Sequence, residues 1–93
     1  MDAAEALERA QRAADRWLLF FSVHATERMQ ERLATHADVR SAVMTADVAV
    51  LSDDGPNRWV LCGGYDLDDC GLRVIVAIDG DSVTVTIVTV YPP

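Results

Sequence analysis

The stretch Leu72-Arg73-Val74-Ile75-Val76-Ala77-Ile78-Asp79-Gly80-Asp81-Ser82-Val83-Thr84-Val85-Thr86-Ile87 decides the fold. Two β-branched runs alternate with period two, and an Asp-Gly-Asp turn signal separates them. In either two-residue register Leu72, Val74, Val76 and Ile78 share a face with Val83, Val85 and Ile87. Arg73, Thr84 and Thr86 fall on the wetter face. The spacing therefore predicts strands near 71–79 and 82–91, paired antiparallel as a tight hairpin.

Working back from this hairpin, Asp66 to Cys70 and Asp53-Asp54-Gly55-Pro56-Asn57 carry turn chemistry, which places further strands near 58–65 and 47–52. Before Ala46 the period is helical. Thr35 followed by Asp38 resembles a capping box, so a short helix runs through Met44 with Val39, Ala42 and Val43 inward. Ser22 is an N-cap for a helix over roughly 23–34 that buries Ala25, Met29 and Leu33. Residues 2–20 read as an amphipathic helix with the stripe Ala3, Leu7, Ala10, Ala14, Trp17 and Phe21. Its apolar end, Trp17-Leu18-Leu19-Phe20-Phe21, has to be buried against the sheet or a partner. The expected fold is α+β, with N-terminal helices packed on a four-stranded antiparallel sheet. Residues 1–93 form a single domain, in which 1–20 are an additional helix and 21–93 the core.

Composition bounds the function. Ninety-three residues with 51% hydrophobic content can build a core without disulfides or a metal. The longest apolar cluster is too short to span a bilayer, and the N-terminal residues lack the pattern of a signal peptide. Two cysteines suggest a reducing compartment. A cytoplasmic location with no membrane partner is the expectation. The net charge is −7, and all eight basic residues are arginine. That balance counts against a general nucleic-acid binder but leaves room for a local basic site, since many of the aspartates sit in turns.

His24, Arg28 and Arg32 follow one another at four-residue spacing beside the Ala25–Met29–Leu33 stripe, so they line up along the border between core and water. An imidazole that can trade a proton, with two guanidiniums that can hold a phosphate, suits phosphodiester chemistry. A plainer reading pairs Arg28 with Glu31 and Arg32 with Glu27 or Asp38, and leaves His24 to cap or pack. Thr89 and Tyr91 continue the inward face of the last strand, where their hydroxyls need partners that a site at the sheet's edge could supply. Alternatively, the Tyr91 ring closes the core and its hydroxyl reaches water.

His24-Ala25-x-x-Arg28-Met29-x-x-Arg32, a short helix with Asp38-Val39 and Ala42-Val43, and the terminal Val88-Thr89-Val90-Tyr91-Pro92 resemble a family of small, mostly bacterial proteins. It is catalogued as domain of unknown function 4258 and grouped with the RelE/ParE-like toxin fold. The likeness covers residues 20–92. It implies a sheet backed by helices and a toxin-type, metal-independent RNA endonuclease, in which the ribose 2′-hydroxyl attacks the neighbouring phosphate. No cofactor is implied. By this resemblance His24 is general acid or base and Arg28 the phosphate clamp, with Arg32, Tyr91 and Thr89 in support. The partners implied are RNA or the ribosome and an antitoxin. The chain departs from RelE-like nucleases in being acidic and without lysine.

Other constellations carry less. Cys62 and Cys70 with His24 and His36 lack zinc-knuckle spacing and read as two unlinked thiols. Asp66-x-Asp68-Asp69 lacks the downstream Glu of a calcium loop. Gly63-Gly64 opens no helix and reads as a bulge or close packing. The rival function is a non-enzymatic interaction module, in which helix 2–20 and the 17–21 cluster bind a protein partner or a second copy of the chain.

Overall fold

The computed structural model describes residues 1–53 and 55–93, so Asp54 of the expected 53–57 turn lies outside the described residues. Three helices and five strands follow in the order α1 (Ala3–Asp15), β1 (Leu19–Phe21), α2 (Val23–Arg32), α3 (His36–Thr45), β2 (Val48–Leu51), β3 (Arg58–Cys62), β4 (Arg73–Ala77) and β5 (Val85–Tyr91). The α+β class is as expected. The four-stranded antiparallel sheet is not: the sheet has five strands in the order β1-β5-β4-β3-β2, and β1 pairs parallel to β5.

Helix starts are set by their caps. Asp2 accepts from the Glu5 amide, Ser22 from the Ala25 amide, and Thr35 and Asp38 form the full capping box. Helix ends differ from expectation. α1 stops at Asp15 rather than residue 20, because Trp17 takes the left-handed conformation (φ 57°). The Trp17 amide then bonds the Ala14 carbonyl and the Leu18 amide the Ala13 carbonyl, which ends the helix. α2 ends the same way at Leu33 (φ 56°), with Leu33 and Ala34 amides on the Gln30 and Met29 carbonyls. Leu33 was expected inside and is 90% exposed, since the left-handed turn throws it off the helical stripe.

β4 and β5 pair antiparallel as expected, but not through a tight two-residue turn. The strand starts only at Val85, and Val83, expected inward, is 69% exposed in the connecting loop. A register shift also breaks the alternation. Ile75 faces Thr89 while Val76 faces Ile87, so Val88 is an extra, bulged residue. Its carbonyl accepts from the Ser22 hydroxyl and the Ile87 carbonyl from the Ser22 amide, which fastens the start of α2 to the bulge. The bulge reverses which side chains point inward: Val85 and Ile87 before it and Val90 after it are core residues. Thr89 and Tyr91 therefore do not continue the inner face. They sit opposite Ile75 and Arg73 on the outer one.

All three helices bury their apolar sides in one cluster with the inner face of the sheet. Ala6, Ala10, Ala13 and Ala14 of α1, Ala25 and Met29 of α2, and Val39, Ala42 and Val43 of α3 meet Leu61, Val74, Val76, Ile87 and Val90. Leu18, Leu19 and Phe21 pack against this cluster. Gly64 permits the close approach of α3, since a Cβ there would lie 2.0 Å from the Ala42 carbonyl oxygen.

Candidate functional site

Paired residues on adjacent strands share a face. Starting from core residues Ala49, Leu61, Val74 and Val90, the registers assign the outer face to Val48, Val50, Val60, Cys62, Arg58, Arg73, Ile75, Ala77, Thr86, Thr89, Tyr91 and Phe20. The helices contribute their buried residues to the opposite cluster, and Ile75, only 7% exposed, lies outside it. Among these residues there is no carboxylate, although the chain carries fifteen. Arg73 pairs with Tyr91 at one end of this face, and Arg58 lies at the other end, in the row of Ala77, Thr86 and the 70% exposed Phe20. A cationic, part-aromatic sheet face results on a protein of net charge −7.

α2 lies on the inner side of the sheet, where Ala25 and Met29 join the core cluster. It starts at the bulge and packs on β5, the strand that carries Thr89 and Tyr91. His24 and Arg28 precede the buried Ala25 and Met29 by one position each, so they leave the same flank of the helix, and both are exposed. The His24 side chain makes no hydrogen bond among the described residues. Arg28 is paired with Glu31 at 2.9 Å, the partner that the plainer reading assigned to it. Arg32 has no ion pair with Glu27 or Asp38. It lines a cavity with Asp38, Asp66, Asp68 and Cys70, so its surroundings are acidic. The structure thus sets His24, Arg28, Thr89 and Tyr91 on adjoining elements and turns Arg32 toward a different neighbourhood. No hydrogen bond or ion pair links any two of the five among the described residues.

The acidic neighbourhood at Arg32 is held by its own backbone. Carboxylate oxygens of Asp38, Asp66 and Asp68 lie within 4.8 Å of one another. Asp38 accepts from the Thr35 amide and hydroxyl and, from 29 residues away, the Leu67 amide. Asp66 accepts from the Asp68 and Cys70 amides. Hydrogen bonding from the Thr35 amide holds the Asp38 carboxyl below its ordinary range, and the Leu67 amide and Thr35 hydroxyl add to this against the opposing effect of burial. These bonds fix the 66–70 loop on α3. Cys62 and Cys70 are both free thiols, as expected. His36 stacks on Phe21, with ring centroids 4.1 Å apart.

Sequence reasoning did not single out Arg58, or Arg73 as a site residue. The alternation that makes β3 and β4 strands is the signal that could have found them, once the bulge had put Tyr91 on their side.

The class defined by this arrangement is a three-helix α+β domain with a mixed sheet open on one face. The chain belongs to the family described as Domain of unknown function (DUF4258), whose model matches residues 21–92. α1 lies outside the matched segment. No curated protein and no solved structure matches the chain.

Proposed function

We propose that the open face of the sheet and the His24–Arg28 flank of α2, the helix packed on β5, together form a phosphodiester-binding surface, and that the protein cleaves RNA there without a metal. The observation that carries this reading is the absence of any carboxylate from a sheet face that holds Arg58, Arg73, Tyr91 and Phe20, on a chain whose net charge is −7. Guanidiniums grip phosphate as planar forks, and aromatic rings offer stacking surfaces to unpaired bases. The sequence resemblance to RelE/ParE-like toxins supports the same reaction class. His24 takes the proton of the ribose 2′-hydroxyl as its oxygen attacks phosphorus, or returns one to the departing 5′-oxygen. The products are a 2′,3′-cyclic phosphate and a 5′-hydroxyl end. Arg28, released from Glu31 by competing phosphate, steadies the charge that develops on phosphorus, while Tyr91 and Thr89 orient the substrate from β5. Arg32, facing three aspartates, is assigned a lesser part.

The test uses the full chain with single-stranded RNA and with translating ribosomes, in excess chelator. Cyclic-phosphate ends are expected, and His24→Ala should slow their formation by roughly 10²–10⁴-fold. If no RNA is cut under either condition while His24→Ala lowers the melting temperature, His24 is structural and the reading fails.

A second reading, a protein-interaction module, is favoured by one observation. Edge strand β2 exposes Val48, Val50 and Leu51 with one backbone edge unpaired, the arrangement that accepts an added strand from a partner. Of the 17–21 cluster, Phe20 remains largely exposed. Leu18, Leu19 and Phe21 are spent on the core, and the Trp17 residue stays 51% exposed with the Arg40 guanidinium over its ring at 4.9 Å.

A further inference from the structure

A cavity of about 240 Å³ lies between α1 and the β4–β5 loop and has no part in the site above. Arg9, Arg12 and Arg16 line one wall, and Asp81, Ser82 and Val83 the other. The arginines are three and four residues apart and so share one flank of α1. Arg9 is held across the gap by donating to the Ser82 carbonyl at 2.7 Å. Arg12 is paired with Glu8, and Arg16 has no ion pair among the described residues. On the loop side, the Asp81 and Val83 amides make no hydrogen bond within the protein among the described residues.

We propose that this cavity binds a phosphoryl group. Guanidinium forks and free amides are the donors that phosphate oxygens take up. Glu5 and Asp81 line the same walls and Glu8 pairs with Arg12, so three arginines stand against three carboxylates. That balance leaves Arg16 as the cavity's unpaired cation among the described residues and suits a single phosphoryl group rather than a polyphosphate. Leu18 and the 69% exposed Val83 provide apolar surface for the organic part of such an ester. The three arginines all lie outside residues 21–92, so the family match does not carry this site.

The experiment titrates the ¹⁵N-labelled full chain at constant ionic strength with inorganic phosphate, with adenosine monophosphate, and with a short 5′-phosphorylated RNA. Saturable shifts are expected at Ala13, Leu18 and Asp81 to Val83. Arg16→Glu should weaken binding about tenfold or more while leaving the unliganded spectrum folded, because Arg16 is exposed and unpaired. Arg16→Gln, which adds no charge, should weaken it in the same direction. Saturation by phosphate and the monophosphate identifies a free phosphorylated ligand. Saturation by the RNA alone identifies a polynucleotide end. Shifts that saturate with none of the three, fall on α2 and β5 instead, or survive both substitutions overturn the proposal. RNA cleavage is read separately, so either proposal can fail without the other.

Discussion

Leu33 is an apolar side chain with nothing to pack against, held in a backbone conformation that suits glycine. Its left-handed φ costs an L-residue roughly 1–2 kcal/mol, part of which is recovered from the larger entropy a glycine would lose. Leu33→Gly should therefore raise stability by about 0.5–1 kcal/mol, read as a higher melting temperature, and a fall would mean that Leu33 contacts something in solution. Asp38 is the opposite case, a small residue on which several bonds converge. Asp38→Ala leaves the Thr35 and Leu67 amides without their acceptor and should cost about 2 kcal/mol near neutral pH. Because the folded protein holds this carboxyl below its ordinary range, its contribution is fully present above the carboxylate range of the unfolded chain, about pH 3.9. It is lost as pH falls through the lower folded value. The gap between wild type and Asp38→Ala should then close on acidification below about pH 4, which denaturant titrations at several pH values would reveal. The caps were legible in the sequence because Ser22, Thr35 and Asp38 carry their partners within three residues. The two helix ends were not, because Trp17 and Leu33 occupy positions where a glycine would have announced the stop.

At the scale of elements, α1 is joined to the rest by small side chains and a few long polar ones. Its alanine face brings the backbone close to the sheet and to α3. Gln11 donates its side-chain amide to the carbonyls of Val43, Met44 and Ala46, at 3.2, 3.2 and 2.9 Å, and so caps the C-terminus of α3 from outside. Gln11→Ala should cost about 1–2 kcal/mol and lower the melting temperature by roughly 4–15 °C. A change within error would show that water replaces the cap at no cost. Spacing alone extended α1 to residue 20, because Trp17 and Phe21 happen to continue the helical stripe. The competing signal was the run Leu18 to Phe21, too apolar for a helix surface yet well suited to a buried strand. β1 could not be read locally, since a three-residue strand is defined by its parallel neighbour β5, some 66 residues later. The Val88 bulge was equally hidden. Nothing in Val-Thr-Val-Tyr marks the extra residue, and only the Ser22 contacts from the start of α2 show why it is kept there.

For the molecule as a whole, charge is sorted by face rather than averaged. The alternation of the last two strands predicted an inner apolar face, which Leu72, Val74, Val76, Ile78, Val85 and Ile87 form while Val83, Thr89 and Tyr91 do not. What could not be seen in one dimension is that the outer face holds Arg73 against Tyr91 at one end and Arg58 at the other, and excludes every carboxylate among its paired residues. Asp2, Asp38 and Asp66 lie away from it, with side chains that accept from backbone amides. This sorting sets a quantitative expectation for RNA. Each phosphate neutralised on a single strand contributes about −0.7 to the slope of log affinity against log salt. Arg58, Arg73 and Arg28 offer at most three such contacts, so the slope should lie near −1.4 to −2.1, shallow compared with lysine-rich binders. Arg73→Ala should make it shallower by about 0.7. The substitution removes a half-buried side chain from the face opposite the core, so the fold should tolerate it. Affinity of a short single-stranded RNA, measured by fluorescence anisotropy from low to physiological salt, provides both slopes. A steep wild-type slope would mean that cations outside this face, such as those of α1, do the binding. An unchanged slope in Arg73→Ala would remove the open sheet face from the RNA site, even if the protein still cuts RNA.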